Sequence, residues 1–143
     1  MTQGRDDPYD LQRFVDAQRP VYDRVLGELA AGCKSSHWMW FVFPQIAGLG
    51  SSAMARRYAI ATRDEAAAYL DHLLLGPRLR QCTRLVTGID GRSIHQIFGS
   101  PDDMKFQSSM TLFARAAGDN ADFLAALDKY FDGALDPATL ARL

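Results

Sequence analysis

Ser36-His37-Trp38-Met39-Trp40-Phe41-Val42-Phe43-Pro44-Gln45 puts both tryptophans of the chain beside a glycine-hinged polar loop, Gly48-Leu49-Gly50-Ser51-Ser52. Large aromatics with few rotatable bonds build either a dense core or the wall of a pocket. Glycines followed by hydroxyls let backbone approach a ligand closely. The loop fits Gly-x-Gly-x-x-Ala through Gly48, Gly50 and Ala53 and leads into a helix carrying Arg56 and Arg57, an arrangement suited to a phosphate or another anion. A dinucleotide fold is not expected. Pro44-Gln45 ahead of the loop and the helical remainder supply neither the strand nor the βαβ unit that such a site requires. A plain turn chosen for its backbone angles accounts for the same residues.

A second constellation lies on the helix opened by Ser100-Pro101-Asp102-Asp103. At 3.6 residues per turn, Phe106, Met110, Phe113 and Ala117 form its core stripe, with Asp102, Lys105 and Ser109 along the edge. Leu112 and Ala116 border that edge, so Ser109 and Lys105 are expected to be partly buried and to need partners. An Asp102–Lys105 pair satisfies them internally; a ligand is the alternative. His37 serves as a general base or bonds a backbone carbonyl, the second being favoured. His72 and His95 fall near helix ends, where a cation at His72 would suit the dipole. The candidate catalytic residues are therefore His37, Asp102, Lys105 and Ser109. The candidate binding residues are Trp38, Trp40, Gln45, Gly48, Gly50 and Ser51, together with Ser52, Arg57, Tyr58 and Ser108.

Other chemistries find little support. The serine pairs at 35–36, 51–52 and 108–109 include no Gly-x-Ser-x-Gly elbow, which argues against a serine hydrolase. No His-x-x-x-His or Glu-x-x-His pair exists, so no metal is expected, and no cofactor is assigned. Cys33 and Cys82 have no C-x-x-C partner and are expected to be buried, reduced thiols.

The elements that must position these residues are helices. At 143 residues with 48% hydrophobic and 23% charged side chains, a single domain is expected. The net charge of −1 disfavours a nucleic-acid partner, since the clustered cations are limited to Arg56-Arg57 and Arg78-Leu79-Arg80. Residues 1–8 are expected to be flexible. The polar start lacks a secretory signal, and the apolar run Trp38 to Phe43 is far short of the ~20 residues of a membrane helix; a cytoplasmic protein with no membrane contact is expected.

Leu11, Phe14 and Val15, then Val21, Tyr22, Val25, Leu26 and Leu29, follow helical spacing, with Pro20 in the first turn of the second piece and Gly32 beyond it. Short helices follow at 52–60, from Thr62-Arg63-Asp64-Glu65 as a capping box to about His72, at 77–87 and at 93–98. Ser100 reads as the cap of the next helix, which runs to about Ala117. Another spans 120–131, and Asp136-Pro137 opens a last turn. About seven short helices with short connections make an all-α, single compact domain. Trp40 to Phe43 also fits a buried strand.

The aromatic–glycine stretch, with Arg57-Tyr58-Ala59-Ile60, Leu75-Gly76-Pro77-Arg78-Leu79 and Asp102 through Phe113, resembles the domain-of-unknown-function family 1810 over Pro8 to about Leu140. The resemblance implies a small, mainly α-helical bacterial domain with no assigned activity. The calpastatin label that members often carry does not suit this chain, because calpastatin is disordered whereas a chain this aromatic and well capped should fold. The Lys-Phe and polar-helix elements are similar to those of helical domains acting on NAD and ADP-ribose derivatives. Two functions follow as expectations: binding, with or without processing, of a small anionic ligand such as a nucleotide or an ADP-ribose or NAD derivative; or a non-catalytic protein–protein interaction module.

Overall fold

The computed structural model describes residues 7–143, so the expectation for residues 1–6 lies outside the described residues. Within the segment expected to be flexible, Asp7 is anchored: its carboxylate accepts the N–H groups of Leu11 and Gln12.

The described residues form ten helices: α1 (Gln12–Gln18), α2 (Tyr22–Ala30), α3 (Met39–Val42), α4 (Ala53–Arg57), α5 (Arg63–Asp71), α6 (Leu75–Thr87), α7 (Ile94–Phe98), α8 (Asp102–Ala116), α9 (Ala121–Phe131) and α10 (Pro137–Leu140). The all-α expectation holds, with ten pieces rather than about seven. Trp40 to Phe43 is not a strand. Met39 to Val42 form the single turn α3, and the β-type pairing among the described residues is one isolated parallel bridge between Ile46 and Ile60.

Helix α8 is the axis of the molecule. Phe106 and every residue from Ser108 to Ala114 are buried, and α5, α7, α9 and α10 all pack on it. Three of the four expected stripe residues, Phe106, Met110 and Phe113, have no exposed surface, whereas Ala117 lies past the helix end in extended backbone and is half-buried. Around Phe106, the rings of Phe43, Phe98 and Phe131 form a cluster with centroid separations of 5.0–6.4 Å. Such edge-on and tilted pairs add stability beyond area burial.

Four local expectations change for identifiable reasons. Ser100 does not cap α8. The first N–H groups of that helix are satisfied by Gly99 O, Pro101 O and the Asp103 carboxylate. Pro20 lies ahead of α2, not in its first turn. The Thr62 box is half made: Thr62 accepts from Glu65 N, but Glu65 turns its carboxylate to Ala61 N and to Arg13. His72 is an acceptor, its Nδ1 taking the N–H groups of Leu74 and Leu75 at the start of α6, and that nitrogen must be unprotonated to do so. The complete capping box is at α7, between Ser93 and Gln96. Of the two free cysteines, Cys82 is buried as expected and Cys33 is exposed.

Candidate functional site

The site begins with a buried carboxylate. Glu28, in the last turns of α2, accepts from Ser35 N, from Ser36 N and Oγ, and from Trp38 Nε1. Burial alone would raise its pKa, yet the bonds from Ser36, Ser35 and Trp38 prevail and lower it from 4.5 to about 2. These bonds fold the link between α2 and α3 around one side chain. Trp38 becomes core, 1% exposed and set against Phe43 and Phe98. It therefore presents no wall to a ligand.

The same fold carries Lys34 to the start of α8. Its Nζ is 2.8 Å from Asp102 Oδ2 and lies over the Trp38 ring, and its side chain is 8% exposed. Lys105 approaches the other carboxylate oxygen at 3.4 Å, lies over the half-buried Trp40, and is 26% exposed. One carboxylate thus stands between two ammonium groups, each above an indole face. The expected Asp102–Lys105 pair is present. Lys34 was not foreseen, because its partner is remote in sequence and no local spacing marks it.

One turn beyond Lys105, the Ser109 hydroxyl is fully buried and has no hydrogen-bond partner. Its neighbour Ser108 has partners, bonding Asp136 Oδ2, which also takes the N–H and hydroxyl of Thr139. Ser108 thereby joins α10 to α8. His37 is exposed, and among the described residues it makes no hydrogen bond, to a carbonyl or otherwise. His95 is the histidine with a carboxylate partner: its Nδ1 is 3.2 Å from Asp103 Oδ2.

The glycine loop occupies a different setting. Ser52 Oγ caps α4 by accepting from Ala55 N, while Ser51 and Gly50 are exposed. Gly48 has φ +97, and its carbonyl accepts from Arg142 Nη2. The Arg142 guanidinium is so near that an added Cβ would lie 2.8 Å from its Nε, so the glycine makes room for a side chain of the protein itself. The half-buried Gln45 joins the bridge through its carbonyl, which accepts from Ile60 N. Arg57 stands at the C-terminal end of α4, over the buried Tyr58, beside a recess of about 380 Å³ shared with Asp10, Arg13 and Asp16. Among the described residues, no hydrogen bond, ion pair or cation–π contact joins residues 48–52 to His37, Lys105 or Ser109.

A larger open groove, about 580 Å³, runs between the C-terminal ends of α2 and α6. Its size favours it, but its charges are engaged: Arg84 with Asp122, Asp90 with Lys129, and Arg92 with Gln96 O. No set of three or more metal-ligating side chains converges among the described residues, and no helix there is long and apolar enough to cross a membrane.

Comparison with known proteins agrees with this architecture. The crystal structure of the conserved hypothetical protein Rv1873 from Mycobacterium tuberculosis is 61% identical, with a TM-score of 0.95 over 96% of this chain and 98% of that one. No curated protein matches the chain. The model of the family described as "Protein of unknown function (DUF1810)" matches residues 8–143, and the chain therefore belongs to that family.

Proposed function

We propose that the protein binds a small anion-bearing ligand, of the nucleotide or ADP-ribose class, at the edge formed by Lys34, Trp40, Asp102 and Lys105. The observation that carries this reading is the single Asp102 carboxylate shared by two ammonium groups. Asp102 balances one of them and leaves a positive charge where water is partly excluded, and there a ligand anion is attracted more strongly than at an open surface. Lys34, closer to Asp102 and more deeply buried, is the anchored cation. Lys105, with the longer contact and greater exposure, is the one that turns to the ligand. The half-buried Trp40 offers a ring on which a base or other planar group stacks. The unpartnered Ser109 hydroxyl is a further donor to a ligand group or to a water that leads to it. If chemistry follows binding, His37 or Asp102 carries the proton while Lys105 and Ser109 polarise the reacting group. The reading requires neither Arg57 nor the Gly48–Ser52 loop, whose groups serve Tyr58, α4 and Arg142.

Thermal unfolding with sulfate, AMP, NAD and ADP-ribose tests it. A ligand at a hundred times its Kd adds ~2.7 kcal/mol, or several degrees. Lys105→Ala and Trp40→Leu should abolish the shift. Ser109→Ala should weaken it without lowering the Tm of the free protein, because no protein hydrogen bond is removed. Absence of a shift with every compound rejects the reading. It would favour the non-catalytic interaction module, for which the exposed Leu73 (94%) and Met104 (66%) supply apolar contacts.

A further inference from the structure

Two consecutive carboxylates open α8, and they hold different partners: Asp102 takes Lys34 and Lys105, and Asp103 takes the His95 ring. We infer that His95 belongs to the same anion site as its third cation, a titratable one, so that anion affinity rises as the imidazole gains a proton; this rests on the function proposed above. The elements around it are contiguous, since Lys34 N donates to Ile97 O of α7 and α7 packs on the first turns of α8. The charged group in contact with the imidazole is Asp103; the elements beside it carry Asp102 and Lys105 on α8, Lys34 on the α2–α3 link, and Arg92 in the loop before α7, whose guanidinium bonds Gln96 O. Glu28, on α2, is occupied by Ser35, Ser36 and Trp38.

With His95 neutral, the Asp103 charge offsets part of the positive charge left over at Asp102 and opposes an incoming anion. Nδ1 then keeps its proton toward the Asp103 carboxylate, and protonation of Nε2 neutralises Asp103 as a source of repulsion. The positive charge left over at Asp102 is then felt in full. His95 is 67% exposed, so its second nitrogen can receive that proton from water without any change of fold.

Sulfate is the probe, because it does not titrate in this range. Calorimetric titration of the intact protein at about pH 5.5 and about pH 8, on either side of the ordinary histidine value, should give an affinity roughly 3- to 10-fold higher at the lower pH. His95→Gln should remove that ratio. Asp103→Asn should raise the high-pH affinity toward the low-pH value. A wild-type ratio near one, or a ratio that survives His95→Gln and vanishes in His37→Gln, overturns the role of His95 and leaves the anion site standing. No sulfate binding at either pH, or binding unaffected by Lys105→Ala, overturns the anion site itself and this inference with it.

Discussion

At the residue scale, Glu28 organises the link between α2 and α3 that carries Lys34 and Trp38. A carboxylate that accepts four donors within a buried link cannot be exchanged for an amide without leaving donors facing each other. Glu28→Gln should cost ~2 kcal/mol at neutral pH, measured by denaturant unfolding. The pH dependence has a definite sign. The folded-state pKa is depressed to about 2, so the stabilisation is complete above 4.5 and fades as pH falls through the folded value. Acid unfolding followed by tryptophan fluorescence should therefore steepen between these limits in the wild type, and this component should be absent in Glu28→Gln. None of this was legible locally. Glu28 sits one turn before Gly32 like any acidic residue near a helix end, and its partners are contributed by the chain seven to ten residues later. The aromatic concentration at Trp38 and Trp40 was legible, but its two members divide: one is core, the other half-exposed.

At the element scale, the short helices depend on close backbone approach and on caps that hold them in register. Gly76, in the first turn of α6, shows this most sharply. A Cβ there would stand 2.0 Å from Leu70 O, a backbone atom of α5 that cannot swing aside. Gly76→Ala should therefore separate α5 from α6 and cost ~3 kcal/mol, the upper range for overpacking, read as a fall in the chemical denaturation midpoint. Helix periodicity located most elements within a residue or two, because amphipathic stripes and Gly or Asp-Pro boundaries are local signals. The Ser100 cap was misread because the N–H groups at the α8 start are satisfied by Gly99 and Pro101 carbonyls and by Asp103. Sequence spacing alone does not rank those acceptors.

At the scale of the whole molecule, α8 is the element against which α5, α7, α9 and α10 are arranged, and Phe106 is the centre of the aromatic cluster that joins α3 and α7 to α9. Phe106→Ala should cost ~3–5 kcal/mol through the cavity it leaves. The loss should appear as a single cooperative transition at lower Tm, because the site edge and the core share this helix. By itself the sequence determined the all-α class, most helix positions, the α8 core stripe and the Asp102–Lys105 pair. All of these follow from hydrophobic periodicity and from neighbours within one helical turn. Only the tertiary structure decided that Lys34 joins Asp102, that His95 rather than His37 has a carboxylate partner, and that the glycine loop serves α4 and Arg142 instead of Lys105. The physical reason is that ion pairs and caps depend on distances between elements. Those distances follow from how the helices pack on α8, and residue spacing along the chain does not encode them.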